Sequence, residues 1–421
     1  AGTPHAEIHA LRMAGELARG ATLYVTLEPC SHYGRTPPCV NAIIDAGISR
    51  VVAAMSDPNP KVAGRGFKLL RDSGIAIEVG VCEAEARRLN EVFLKWITTG
   101  MPFVMLKTAM SLDGKIATAS GQSQWITSEA ARRRVHEWRN VFDGIMVGIG
   151  TVLADNPSLT TRLELEGRNP VRIIVDSSAR TPLDTNVVSD KKARTLIAVT
   201  EHAPQQKVDA LIERGVEIIV AGSGERVDLR RLMRELAARE ITSIMVEGGG
   251  TLNFSLLKAG LVDKINAFIA PKVLGGRDAL TGVEGEGFST LQDAVELSDV
   301  STEMIGNDVL ISGCVRHWMS RSTEERLWFA CASIDCADCV RMLNLVYSVI
   351  SFAMSASRMT DSAFCMLSRS VMMLDSVYSS RAICAPTRVF ASSRYSNPRS
   401  RIPGVSVLPS RASRLDFVNT L

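Results

Sequence analysis

The sequence predicts an α/β protein with two parallel-rich sheets in tandem, and three observations lead there. Apolar runs of strand length alternate with amphipathic stretches in units of roughly 30 residues, the rhythm of strand–helix–strand crossovers. That rhythm is broken by Gly100 and Pro102. The composition then changes abruptly at His317. The expected layout is a first domain over 1–98, a second over 101–316 and a tail over 317–421 that is not a folded domain.

"EIHALRMAGELA" (7–18) spaces its apolar residues as a helix does. "ATLYVTLEPC" (21–30) reads as a buried strand ending at Pro29, since proline has no N–H to give a sheet. "CVNAIIDAGI" (39–48) is helical, "RVVAAMSD" (50–57) a strand, "GFKLLRDSGI" (66–75) a helix closed by Gly74, and "AIEVGV" (76–81) a strand. The helix over 83–100 stops at Gly100, a residue suited to the left-handed turn after a helix, and Pro102 bars its continuation. Beyond it, "PFVMLKTAM", "GIMVGIG", "VRIIVD", "TLIAVT", "VEIIVA", "TSIMVEG", "KINAFIAPKV" and "DVLISGCV" supply strands. Helices fall between them, notably at 128–140, 228–240 and 251–259, and there is no internal repeat.

Composition narrows the function classes. No apolar run of about 18 residues occurs, so no membrane span is expected, and no basic-plus-apolar leader opens the chain. The first residue is not Met, which points to a truncated chain. The net charge of +3 hides a split: residues 1–316 carry 36 basic and 38 acidic groups, while the last 105 hold 12 Arg, no Lys and 7 acidic residues. A first part without basic bias is not expected to bind a nucleic-acid backbone. In the tail Ser takes 20 positions and Gly one, with Met and Cys recurring without periodicity. Its Met, Cys and Val content is too apolar for a disordered Ser/Arg segment, so a wrong reading frame fits it better. Nine cysteines in a chain of this kind do not suggest a disulfide framework.

Cys30 and Cys39 instead stand with "PHAEIHAL" (4–11) as a candidate metal site. Catalytic zinc takes three protein ligands and leaves a fourth place for water. Zinc deaminases use one His and two Cys beside a Glu that does not touch the metal, in the pattern H-x-E … P-C-x-x-C. His5-Ala6-Glu7 matches the first half and Pro29-Cys30 begins the second, but the next cysteine, Cys39, comes after "SHYGRTPP". Gly34, Pro37 and Pro38 supply turns that can fold the two cysteines together. The expected placement has His5 and Cys39 at helix starts and Cys30 at a strand end, with Glu7 carrying protons between water, a ring nitrogen and the departing amine. A His or a Cys pair alone is more often packing, and a structural zinc would need a fourth ligand such as His32 or His9. His9 reads as packing or outer support and His32 as a substrate-loop residue.

"MVEGGGTLNFSLL" (245–257) is a strand, a glycine turn and a helix, where a phosphate can approach the backbone. On its own it is equally a tight strand–helix turn, and it is not the G-x-G-x-x-G fingerprint. "KTAMSLDGKIAT", "GQSQWIT", "GIGTVLADNPSLTTR" and "VDSSAR" also place small or polar residues after apolar strands, where ligands bind in open α/β sheets. Arg139 and Arg162 are candidate phosphate clamps.

"PHAEIHAL", "TLEPCSHYGRTPPC" and "DPNPKVAGRGFKLLRDSGI" closely resemble the deaminase domain of the bifunctional riboflavin-biosynthesis deaminase/reductase family, whose own pattern includes the long loop between the cysteines. The resemblance continues through "LNEVFLKW", "MLKTAMSLDGKIAT" and "VEGGGTLNFSLL" to about residue 315. It implies a truncated cytidine-deaminase-like domain followed by a dihydrofolate-reductase-like domain. The reactions implied are zinc-dependent deamination of a diaminopyrimidinone ribosyl phosphate, then NADPH-dependent reduction of its ribosyl group to a ribityl chain. His5, Cys30 and Cys39 would hold Zn2+, with Glu7 as proton carrier. Ala109, Trp125, Thr151, Asp155, Ser177 and the stretch Gly249, Gly250, Thr251, Leu252, Asn253, Phe254, Ser255 would line NADPH. Ser123, Arg139, Leu159, Arg162 and Glu247 would face the substrate, with Lys107 at the same mouth. The family carries further residues before the His motif, and losing sheet strands exposes edges. A reductase with an inactive deaminase remnant is therefore the alternative. A nucleic-acid base deaminase is disfavoured by charge and few aromatics. A zinc-binding interaction module would draw on Cys331, Cys336 and Cys339, a trio that chance explains in a Cys-rich tail. A cytoplasmic homo-oligomer, with no nucleic-acid or membrane partner, completes the expectation.

Overall fold

A computed structural model describes residues 4–34, 36–59, 62–164, 167–316 and 407–408. His5 precedes α1 (Ala6–Ala14), which tightens into a 3-10 turn over Gly15–Ala18. The helix expected over 7–18 is thus two pieces, because Gly15 takes a φ of 54° and ends the α-helical ladder. Strand β1 (Thr22–Val25) is shorter than expected, since Thr26–Cys30 leave the sheet ahead of Pro29. Then come α2 (Cys39–Asp45), β2 (Arg50–Ala53), α3 (Arg65–Asp72) and β3 (Ala76–Val79). The three strands pair in parallel, Thr22 opposite Arg50 and Arg50 opposite Ala76. Leu23, Val25, Val40, Ile43, Val51, Phe67 and Leu70 form the core between sheet and helices.

The helix expected over 83–100 divides into α4 (Glu83–Leu89) and α5 (Glu91–Thr99). Buried Asn90 sits at the break, where its φ of −102° and ψ of 12° leave the helical range; its Nδ2 donates to the Ala86 carbonyl at 2.8 Å beside the backbone bond from its own N–H at 3.0 Å. Gly100 closes α5 with a φ of 64°, as its position suggested.

The second sheet is built from β4 (Phe103–Ser111), β5 (Gly144–Gly148), β6 (Val171–Val175), β7 (Thr195–Val199), β8 (Glu217–Val220), β9 (Ser243–Val246), β10 (Lys264–Ala270), β11 (Leu297–Ile305) and β12 (Asp308–Val315). Its helices are α6 (Glu129–Val141), α7 (Ile149–Asp155), α8 (Asn186–Ser189), α9 (Gln205–Glu213), α10 (Leu229–Ala238) and α11 (Gly250–Lys258). The strand order is β11-β12-β10-β4-β9-β5-β6-β7-β8. Pairings from β10 across to β8 are parallel, and β12 and β11 add antiparallel. Both faces are covered, so a strand such as β5 sends Ile145 and Val147 into one core and Met146 into the other. That explains the continuous apolar runs. The segment "GIMVGIG" is not all strand: the chain turns at Gly148 straight into α7. Strand β11 has no counterpart in the sequence reading, because most of its residues are polar or exposed.

Among the described residues no helix is long and apolar enough to cross a membrane. Past Arg316 the description covers the two-residue strand β13 (Val407–Leu408), antiparallel to β1 with Thr22 opposite Leu408. The remaining readings for 317–421, including Cys331, Cys336 and Cys339, lie outside the described residues.

Candidate functional site

The first site gathers residues from three segments. His5 caps the start of α1 and Cys39 is the first residue of α2. Cys30 comes from the loop after β1 rather than from a strand end, because the sheet pairing has already stopped at Val25. His5 Nδ1 lies 3.2 Å from Cys39 Sγ and 3.5 Å from Cys30 Sγ. One ligand atom from each of the three lies within 4.8 Å of the others, with both cysteines buried. Among the described residues this is the one group of His, Cys, Asp or Glu side chains so placed. The Cys39 N–H donates to Cys30 Sγ at 3.3 Å. The Cys39 side chain first, then His5, pulls the Cys30 thiol down to about 4 against the effect of burial. An imidazole nitrogen and two sulfurs at this spacing suit Zn2+ in a three-ligand site. Thr36 Oγ1 lies 3.3 Å from His5 Nε2, the outer contact that orients a ligating ring. Glu7, two residues after His5, is 2% exposed.

His32 and His9 do not join the cluster. His9 is exposed, so the packing role expected of it is not found: its face of α1 turns to solvent. His32 Nδ1 is buried without a hydrogen-bond partner among the described residues.

A residue that sequence reasoning passed over holds this site's back wall. Glu28 is fully buried, and its carboxylate accepts the N–H groups of Asp57, Gly64, Gly66 and Phe67 at 3.2, 3.0, 2.9 and 3.3 Å. Burial raises its pKa, and those four amides pull it back. A Cβ on Gly66 would meet the Pro29 carbonyl at 2.2 Å, so only glycine fits there. Glu28 therefore ties the start of α3 to the strand exit that carries Cys30.

The second site is a cleft of about 520 Å³ above β4 and β10, beside the end of β9. It brings together Lys107, Ala109, Ser123, Trp125, Arg139, Arg162 and Glu247, all singled out in the sequence. Strand β9 is inserted between β4 and β5, the point where strand order reverses and ligands bind in open α/β sheets. At its floor Arg139 Nε and one terminal nitrogen donate to Glu247 at 2.6 and 2.8 Å, and the other terminal nitrogen donates to the Thr160 carbonyl at 2.9 Å. Lys107 Nζ lies 3.6 Å from the same carboxylate. Burial alone would raise the Glu247 pKa, but Arg139 and Lys107 outweigh it and hold the group at about 2. Three of the five Arg139 N–H groups are thus committed to Glu247 and Thr160, and a carboxylate already balances its charge. Among the described residues no carboxylate pairs with Arg162. Trp125, 59% exposed, stacks under Arg132, whose Cζ lies 4.5 Å from its ring centroid.

The other predicted residues lie off this cleft. Gly248 and Gly249 take φ values of 150° and 89°, and a Cβ on either would lie 3.5 and 3.6 Å from Thr151 Oγ1. The starts of α7 and α11 thus sit side by side, with first-turn amides free of helical partners. Within 249–255, Leu252, Asn253 and Phe254 turn inward: Asn253 Nδ2 donates to the Gly282 carbonyl at 2.7 Å, and Phe254 packs on Phe288. Gly250 is buried under the Glu284 side chain, so the open part of this turn is Thr251 with half-buried Gly249 beside it. Ser255 Oγ donates to the Thr251 carbonyl. Asp155 is exposed at the end of α7. Ser177 follows β6 and its Oγ accepts the Val227 N–H at 3.2 Å. Leu159, at φ 51°, is buried in the core, so only its main chain can face a substrate.

A zinc-type cluster on one sheet and a charged cleft beside paired helix starts on the next define a two-site enzyme, an aminohydrolase joined to a nucleotide-dependent reductase. The chain belongs to the RibD family of riboflavin biosynthesis. The family model of the RibD C-terminal domain matches residues 102–311, and that of the cytidine and deoxycytidylate deaminase zinc-binding region matches residues 1–55. The chain is 46% identical to the riboflavin biosynthesis protein RibD of Actinobacillus pleuropneumoniae, over 73% of this chain and 82% of the relative. It is 45% identical to RibD of Escherichia coli strain K12, over 74% and 86%. Among solved structures, Acinetobacter baumannii RibD is similar with a TM-score of 0.67 at 38% identity, covering 75% of this chain and 86% of that one. A Thermotoga maritima diaminohydroxyphosphoribosylaminopyrimidine deaminase/5-amino-6-(5-phosphoribosylamino)uracil reductase gives 0.65 at 38% identity, with the same coverage. Zinc and NADPH are the cofactors that go with this family.

Proposed function

We propose that one chain performs two consecutive steps on a pyrimidine ribosyl phosphate, in two domains spanning 1–98 and 101–316. The first removes an amine from the ring by hydrolysis; the second reduces the ribosyl group to a ribityl chain. The observation that carries this reading is the convergence of His5, Cys30 and Cys39 beside buried Glu7, in the same chain as the Glu247 cleft.

At the first site His5, Cys30 and Cys39 would hold Zn2+, which when bound lowers the pKa of water toward neutrality. Glu7 accepts a proton and delivers it to the ring nitrogen and then to the departing amine. Thr36 keeps the His5 ring oriented for this.

At the second site NADPH supplies a hydride when bound. The glycine turn Gly249–Thr251 and Thr151 offer a pyrophosphate seat, and Ser177, just past β6, and Asp155, at the end of α7, extend it. Ala109 and Trp125 line the cleft where the nicotinamide would enter. Glu247 and Lys107 present fixed charge to the opened sugar, while Ser123 and Arg162 take the phosphate end. Arg139 supports Glu247, and Leu159 contributes main chain. Little proton transfer is required, so the protein's main task is to hold C1′ in near-attack contact. A cytoplasmic homo-oligomer is part of the same reading, its assembly open to size-exclusion chromatography.

The test is assay of the purified chain with the diaminopyrimidinone ribosyl phosphate. Ammonia release should proceed without NADPH, and NADPH consumption should require the deaminated product. Reduction of that product with no ammonia release at any zinc concentration would leave a reductase alone.

A further inference from the structure

Helix α6 turns Arg132, His136 and Arg139 toward the cleft at positions i, i+4 and i+7, one face of the helix. Opposite them runs the segment 160–164, which carries Arg162. Two backbone groups of that segment meet α6 side chains. The Thr160 carbonyl accepts from Arg139 at 2.9 Å, and the Arg162 N–H donates to His136 Nδ1 at 3.2 Å. Its neighbour Thr161 is tied away from the helix: its N–H donates to Asn169 Oδ1 at 2.9 Å and its hydroxyl to the Arg168 carbonyl at 2.7 Å. The segment thus behaves as a short strand whose partner is a row of side chains.

We propose that His136 is a positioning residue for Arg162: by accepting the Arg162 amide it fixes that guanidinium in the cleft, where it meets the phosphate of the substrate. The proposal rests on the reading of the cleft as a ribosyl-phosphate site. Arg139 is the weaker candidate for this part, because the Glu247 carboxylate already balances its charge and three of its five N–H groups go to Glu247 and Thr160.

The role demands a neutral ring. A proton on Nδ1 would set one N–H against another, so the ring proton belongs on Nε2. Burial first, then the charges of Arg139 and Arg162, push the His136 pKa down to about 4, against the pull of Glu247 and the Thr160 carbonyl. The ring therefore stays an acceptor through the neutral range. Glutamine at this position could accept the same amide through its side-chain oxygen; leucine could not.

The experiment compares reductase kinetics of wild type, His136→Gln, His136→Leu, Arg162→Gln and the double variant His136→Leu/Arg162→Gln. His136→Leu should raise KM for the ribosyl phosphate about tenfold with kcat and the KM for NADPH within about twofold of wild type. His136→Gln should stay within about threefold of wild type. In the Arg162→Gln background the leucine change should add nothing, since His136 acts through Arg162. Equal defects in His136→Gln and His136→Leu, or effects that multiply in the double variant, would overturn the proposal. If His136→Leu folds poorly, His136→Met replaces it. A wild-type chain that turns over no ribosyl phosphate fails the functional reading instead. In that case calorimetric titration with inorganic phosphate still decides: weakened binding in His136→Leu but not His136→Gln supports the placement, and identical binding in both refutes it.

Discussion

The two sheets assemble their sites by opposite means. On the first, strands of four residues carry no site side chain at all; the ligands come from two helix starts and a loop. Three side chains converge on a point that a metal ion fits, with Cys39 and His5 both drawing the Cys30 thiol downward. On the second, the sheet itself supplies Lys107 and Ala109 from β4, with Glu247 just past β9, and the cleft holds its own counter-charges. The first site would take its charge balance from a bound ion, whereas the second carries a buried ion pair, Arg139 with Glu247, as part of the fold. The two should therefore fail independently and in different ways.

The largest expected effect separates chemistry from metal grip. Glu7→Gln should cut ammonia release by about 10²–10⁴-fold, the usual worth of a positioned acid/base group. Zinc content by elemental analysis and NADPH-dependent reduction of the deaminated product should stay as in wild type. Ammonia release at the wild-type rate would remove Glu7 from its role. The next effect falls on the other sheet. Glu247→Leu leaves Arg139 buried without its carboxylate, which should cost roughly 3–5 kcal/mol in denaturant unfolding of the second sheet. Metal content should not change. A loss below about 1 kcal/mol would show that Thr160 and solvent suffice for Arg139.

Acid should produce the smallest and most graded effect. His136 is lowered from 6.5 to about 4, so between those values the unfolded ring binds a proton that the folded ring refuses. Its contribution is complete above pH 6.5 and erodes as pH falls to 4. Glu247 is lowered from 4.5 to about 2, so its contribution is complete above pH 4.5 and erodes toward 2. Melting temperature of the second sheet, followed from pH 7 downward, should begin to fall near 6.5, and His136→Gln should remove that upper part of the decline.

Much of this was legible in the sequence where a signal is local. H-A-E at a helix start and P-C after a strand are short patterns, and Gly100 with Pro102 marks a helix end by backbone chemistry alone. Parallel strands buried on both faces announce themselves as apolar runs. What stayed hidden depends on partners far along the chain. Glu28 looks like any strand-end carboxylate until the amides of Asp57, Gly64, Gly66 and Phe67 close on it. His136 is a lone histidine on a polar helix, and its partner amide lies 26 residues away. The family resemblance implies Asn253 and Phe254 at the cofactor, and what the sequence could not show is that their side chains reach Gly282 and Phe288. Asn90 divides a helix whose apolar spacing runs straight through it: its φ of −102° and ψ of 12° leave the helical range although its N–H still meets the Ala86 carbonyl.

Helix α5 ends at the glycine where the two halves meet, but its side chains serve both. Phe93 and Leu94 pack with Leu27 and Met55 of the first half. Lys95 reaches Asp263 at 2.6 Å and Glu91 reaches Lys264 at 2.9 Å, on the second. Asp263 also caps the Val104 N–H, and burial raises its pKa even with Lys95 beside it. A reductase fragment expressed from Gly100 onward would keep that carboxylate and lose its cation. Anyone dissecting this enzyme should cut before Glu91, leaving the helix with the half whose charge it neutralises.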